Sequence, residues 1–438
     1  MIHIYSDNNS KRFQYILKLI FKELMGIEYS YTNSQEEFAK IQGIKLQYGS
    51  KQNASGGLFI EAKNLLFETH INNQDISFVD YLDINCPFPV YSQESIVPFD
   101  IFAASFYLIS RYEEYLPHKK DQHNRFIALE SMAFQNNFLH KPVINIWVKD
   151  LEKKIKETHA DFLTQAPTYK YIPTYDIDIA WSYKNKGLTR NIGGAIRDLM
   201  HFNFKDFSNR VKVLYAHKKD PYDTYEIQKA WQKQYKLKPI YFILFGEFGP
   251  MDKNISKTNG DYKKLIKDLR DYGRVGIHPS YASNSSSKQL KKEIHELSNT
   301  VHFDITRSRQ HYLKLELPIT YRNLLSLGIK HDYTMGFASQ LGFRAGIANS
   351  FNFYDLDLDT ETQLRVHPFA IMDGTLCDYL KLDTKSAMQR ISEIIKEIKM
   401  VGGTFISLWH NESLSNEGKW KNWITVYEHL LKEANSFD

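Results

Sequence analysis

The stretch Tyr171–Ala180, YIPTYDIDIA, sets two acids, Asp176 and Asp178, at the downstream end of an apolar run with only Ile177 between them. A strand that merely stops needs no carboxylates there, and an unpaired acid at a buried strand end is costly without a cation. The pair therefore marks a strand end that serves a positive charge or a proton. Residues two apart on a strand share a face, so the chain has to bend here if the two acids are to act separately.

Working outward, the same rhythm continues to the carboxyl terminus. KPIYFILFG, RVGIHPS, LGFRAG, LRVHPFA and GGTFISLWH are short apolar runs separated by longer amphipathic segments. Such alternation predicts β/α units around a parallel sheet or barrel. His278, Arg344, His367 and His410 each stand at or just past the end of one of these runs, as Asp176 and Asp178 do. In a β/α barrel the carboxyl ends of all strands meet on one face, so these six residues are expected to converge.

Upstream, residues 1–165 mix strand-like runs, MIHIY and GGLFIEA, with the amphipathic helix KRFQYILKLIFKELMG. PFDIFAASFYLISRYEEYLP reads as a buried helix with a charged end, and a further helix is expected at about Val143–Glu157. THADFLTQAPTYK is polar, contains proline and reads as a linker, and SNSSS at 283–287 reads as a loop. The expected organisation is an α/β domain over 1–165 followed by a distorted β/α barrel over 166–438.

Composition narrows the function. Hydrophobic residues are 42% and charged residues 24% of 438, an ordinary folded balance. The net charge of +5, from 56 basic and 51 acidic residues, reads as a small excess spread along the chain and leaves no footprint for nucleic acid. The amino terminus, MIHIYSDNNSKRF, lacks the apolar core of a secretory signal, and no apolar segment is long enough to span a membrane. A cytoplasmic location is expected. Cys86 and Cys377 are far apart and lack metal-type spacing, which argues for a reducing compartment and against a thiolate zinc site.

A carboxylate and imidazoles offered from separate strand ends suit a zinc-like divalent ion with an open position for water. Asp178 is then the ligand and Asp176 the base that takes a proton. Two other classes compete. Asp-x-Asp also describes the carboxylate pair of a nucleotide-sugar glycosyltransferase, although that chemistry does not need histidines and an arginine at later strand ends. A non-catalytic binding or scaffold protein is the third reading, and the presence of both aspartates together with His278, Arg344 and His410 counts against it.

TYDID, GIHPSY, GFRAG and ISLWHNES, in this order, resemble the motifs of the polysaccharide deacetylase family, carbohydrate esterase family four. Longer strings, PTYDIDIAW, DYTMGFASQLGFRAG and LWHNESLS, resemble a bacterial subgroup with an extra amino-terminal domain. The resemblance implies a metal-dependent hydrolase that removes N-acetyl groups from an amino sugar or glycan. It implies Asp176 as base, His410 as the acid that protonates the leaving amine, and Arg344 as the residue that orients Asp176. The metal ligands would be Asp178 and His278. The family's second histidine, four residues after the first, is replaced here by Ala282. His311 in SRQHYLKL is the expected substitute, with His367 or a water as rivals. Asp373 would hold His410 charged. Trp181, Tyr281 and Trp409, the aromatics nearest the motifs, would grip a sugar, with His367 and Asp373 beside them. The substrate expected is a lipid- or nucleotide-linked precursor rather than a finished wall polymer.

Overall fold

The computed structural model describes every residue except Ala54, Phe437 and Asp438. Ile2–Tyr5 (β1), Tyr29–Thr32 (β2), Ile44–Gly49 (β3) and Leu58–Glu61 (β4) form a parallel sheet in the order β2-β1-β3-β4. The predicted helix runs Lys11–Leu17 and continues as a π-helical turn, Lys18–Leu24. Its first turn is capped by the Ser10 hydroxyl, which accepts from Phe13 N. The apolar helix Ile101–Ile109 has all nine residues buried, as expected of a helix with no polar face. Asp100 caps it by accepting from Phe102 N and Ala103 N, and ties it to the sheet by also accepting from Lys63 N and Tyr48 Oη. A hairpin, Phe78–Tyr81 (β5) with Ile84–Pro87 (β6), and the helix Val143–Thr158 complete this part.

From Lys170 the chain builds a second sheet from Lys170–Ile177 (β7), Ile240–Leu244 (β8), Arg274–His278 (β9), Arg307–Ser308 (β10) and His331–Asp332 (β11). It continues with Phe351–Asp355 (β12), Thr360–Val366 (β13), Ile371–Met372 (β14) and Thr404–His410 (β15). The order is β12-β13-β11-β10-β9-β8-β7-β15-β14. Leaving out β12, which is antiparallel to β13, the other strands pair in parallel and follow one another in chain order around a ring. The ring is unpaired between β13 and β14. This is the expected α/β chain with a distorted barrel. Its interior is plugged by Ile240, Phe242, Leu313, Tyr333, Phe369 and Leu408, each contributing about 1.5–3 kcal/mol by burial.

Two local expectations fail. LGFRAG is not the end of a strand; it is an irregular segment between β11 and β12. The reason is contact with the amino-terminal part. Phe343 N donates to Leu139 O, and Gly342, at φ +112°, lies so close that a Cβ there would sit 2.3 Å from that same oxygen. The run SNSSS is also not a plain loop, since a 3-10 turn covers Ala282–Ser285 and Ser286 caps the helix Ser287–Val301.

Candidate metal centre

Asp178 follows directly on β7 in a bend, so its side chain departs from the strand direction that Asp176 keeps. His278 closes β9, and His311 sits three residues past the two-residue β10. Ligand atoms of Asp178, His278 and His311 all lie within 4.8 Å of one another. His278 Nε2 is 3.2 Å from Asp178 Oδ1, and His311 Nε2 is 3.4 Å from Asp178 Oδ2.

The outer ring nitrogens are both occupied. His278 Nδ1 lies 2.6 Å from the Arg309 carbonyl oxygen, to which it donates, and His311 Nδ1 lies 2.8 Å from Asp252 Oδ1. That arrangement fixes each ring with Nε2 facing Asp178, the usual way a protein orients imidazole ligands. Asp178 Oδ1 is buried and makes no hydrogen bond. With the His278 proton on Nδ1, Oδ1 and Nε2 are two acceptors 3.2 Å apart with no proton between them. Such a pair repels unless a cation joins it, so the donor set fits a divalent ion with oxygen and nitrogen ligands.

The charges respond to one another. Burial raises the Asp178 carboxyl, but the charge on His311 outweighs it and holds the group well below the carboxylate range. Burial opposes charge on His311, yet Asp178 and Asp252 push it up to about 9. In the protein without a cation, an imidazolium at His311 thus does the neutralising that a metal would do. Directly after it, Tyr312 and Leu313 stand at φ +58° and +54°, a conformation costing roughly 1–3 kcal/mol each outside glycine.

Asp176 is buried beside the triangle. It is paired with Arg309, whose Nη1 donates to Asp176 Oδ1 at 2.9 Å and to Thr174 Oγ1 at 2.7 Å. Arg309 is wholly buried in the barrel over the Phe242 ring, and its Nε donates to Tyr333 O. Arg344, expected in that role, is elsewhere. It forms a bidentate pair with Glu114 at 2.6 and 2.9 Å, because GFRAG packs on the amino-terminal part. Glu114 also takes Arg111 Nε at 2.7 Å, and despite burial the two guanidinium groups hold its carboxyl down at about 2.

At the end of β15, His410 Nδ1 is 2.8 Å from Asp373 Oδ1, and His410 N donates to Asp373 Oδ2 at 2.7 Å. Burial works against its charge, but Asp373 and then Asp178 raise the imidazole well above its ordinary value. Asp373 is fully buried and spent on His410 and Ser413, so it positions rather than touches a substrate.

Asp176, Asp178, His278, His311 and His410 line a cavity of about 310 Å³. The expected aromatic grips do not line it. Trp409 is in the core against Tyr427, Trp181 packs on Tyr262, and Tyr281 stands behind Tyr312 with its N–H on Asp252. Indole and phenol rings next to strand ends were drawn into the packing between barrel and helices. Tyr312, Tyr379 and Trp420 form the aromatic wall instead. His367 is also absent from the cavity: it stacks on Tyr333 and pairs with His331 Nδ1 at 3.0 Å. Sequence reasoning missed Arg309 and Asp252, and it missed Arg125, which reaches the cavity from the amino-terminal part and donates to Tyr312 O at 2.7 Å.

Residues 2–160 match the model of a family of unknown function, DUF7033. No curated protein matches the chain. Among solved structures, a candidate polysaccharide deacetylase from Mycobacterium smegmatis overlaps at 11% identity and TM-score 0.40, covering 62% of this chain and 85% of its own. A polysaccharide deacetylase from Bacillus cereus overlaps at 11% identity and TM-score 0.28, over 60% and 86% of the two chains. Puue allantoinase overlaps at 9% identity and TM-score 0.37, over 62% and 85%. The functional reading therefore rests on this chain's own side chains.

Proposed function

We propose that this protein is a metal-dependent hydrolase that removes N-acetyl groups from an amino sugar or glycan. The observation that carries the reading is the Asp178, His278 and His311 triangle, with a buried Asp178 oxygen left without a partner. A zinc-like ion held by these three would supply Lewis acidity, making a water acidic and offsetting charge on a carbonyl oxygen.

The chain's own groups divide the proton work. Asp176, paired with and aimed by Arg309, takes the proton of the attacking water. His410, held charged by Asp373, delivers a proton to the departing amine nitrogen. Asp176 is buried, whereas the His410 side chain is about one-fifth exposed to the cleft. Tyr312, Tyr379 and Trp420 offer ring faces for a sugar, and Arg125 stands among them. Arg344 acts at a distance, by clamping the amino-terminal part that carries Arg125. The same reading divides the chain at about residue 165, with the amino-terminal domain completing the cleft.

The test is metal content by elemental analysis together with acetate release from N-acetylated oligosaccharides, on wild type, Asp178→Ala and His278→Ala. Stoichiometric metal and acetate release in wild type, with both lost in the variants, is the expected result. A wild-type protein that stays metal-free after reconstitution overturns the reading.

A further inference from the structure

Residues 184–219 hold nine Lys and Arg against two acids, Asp198 and Asp206, in a chain whose total is +5. The basic excess is therefore concentrated here and not spread along the sequence. This segment forms two helices, Leu188–Met200 and Phe204–Tyr215, packed as a hairpin beside the barrel mouth.

The first helix is amphipathic with its apolar face turned to solvent. Leu188, Ile192, Ile196 and Met200, four residues apart, are 71%, 50%, 53% and 73% exposed. The face toward the protein is polar or small. Asp198, its one buried residue, pairs with Arg210 at 2.8 Å, Arg190 donates to Asn254 O, and Gly193 and Gly194 line a cavity of about 580 Å³. At the tip, Phe202 is 79% exposed and held at φ +55°, where glycine or asparagine would sit at less cost. Phe204 follows it, also exposed.

We propose that this hairpin seats the protein on an anionic phospholipid surface. An exposed apolar stripe on a helix rimmed with Lys and Arg is the signature of an element lying in the membrane interface. Arg197, Lys212, Lys218 and Lys219 stand exposed around it, and each contributes attraction to anionic headgroups, while Lys205 is already paired with Glu417 at 2.7 Å. Interfaces with other proteins are depleted in lysine, which weighs against that kind of partner. No helix among the described residues is long and apolar enough to cross a membrane, so the hairpin lies on the bilayer. The cavity beneath it shares Glu412 and Trp420 with the cleft that holds the metal centre, so docking turns that cleft toward the lipid. Docking does not depend on the catalytic reading.

The experiment is co-sedimentation of the full chain with vesicles of phosphatidylcholine alone and of phosphatidylcholine mixed with phosphatidylglycerol. Binding is expected to the mixed vesicles, weakening with salt. The combined variant Ile192→Ser, Ile196→Ser and Phe202→Ser should lose about tenfold or more in affinity, with an unchanged circular dichroism spectrum. Lys212→Gln and Lys219→Gln should cost about fivefold each. Equal sedimentation with both vesicle types overturns the proposal, as does unchanged binding by the serine variant. A wild-type dimer in light scattering that the serine variant splits, without vesicle binding, also overturns it and assigns the face to a second copy.

Discussion

The barrel carries two groups of histidines, and they behave in opposite ways. At the carboxyl ends of the strands His278, His311 and His410 stand among Asp176, Asp178, Asp252 and Asp373. His331 opens β11 and His367 follows β13, with Arg274, Arg307, Lys330 and Arg365 around them. The acidic company pushes His311 up to about 9. Burial and the basic company bring His367 down to about 3. Two imidazoles 3.0 Å apart are therefore no sign of a metal. The neighbours decide whether a cation is welcome, and surrounding positive charge leaves the His331–His367 pair a neutral packing contact.

That contrast is easiest to break with the largest effects. Asp178→Ala or His278→Ala should abolish both bound metal and acetate release, while His367→Asn should leave both near wild type. Metal loss from His367→Asn, measured by elemental analysis, would erase the distinction. Asp176→Asn should keep the metal and lower the rate by about 10²–10⁴-fold, since it removes the base and no ligand. A variant that also lost its metal would place Asp176 among the ligands. Asp252→Asn, which alters the far side of His311 and the carboxylate that accepts from Tyr281 N, should weaken metal affinity by about 10–100-fold in a chelator competition.

The smallest effect is in the pH dependence of the metal-free protein. His311 has a raised folded pKa, so its stabilisation is complete below about 6.5 and lost as pH rises through about 9. His367 has a lowered one, so its contribution is present above about 6.5 and lost as pH falls toward about 3. Each slope is at most about 1.4 kcal/mol per pH unit. Urea midpoints across pH should flatten on the alkaline side in His311→Gln and on the acidic side in His367→Gln.

The Asp176 and Asp178 pair, His278 and His410 were legible because each follows a long apolar strand. His311 was legible only from the charged cluster SRQHYLKL that holds it, since β10 has two residues and leaves no pattern. Arg309 was hidden for the same reason, being two residues before His311 in a polar stretch. Asp252 lies in a loop eight residues past β8, where no periodicity points to it. The arginine of GFRAG was read as a strand-end residue because pattern alone cannot tell which surface an irregular segment meets. Of the fold, the alternating rhythm and β1, β4, β7, β8, β9, β13 and β15 could be read, but not the remaining strands, several of them only two residues long, nor the opening between β13 and β14.

The Arg344–Glu114 pair has a practical consequence for anyone seeking a shorter chain. An excised barrel starting near residue 166 would strip Arg344 of its Glu114 partner, bare the GFRAG surface that packs on Leu139, and remove Arg125 from the wall of the cleft. The two halves of this chain are thus obligate co-owners of one cleft, and a truncation series should lose folding and substrate grip together.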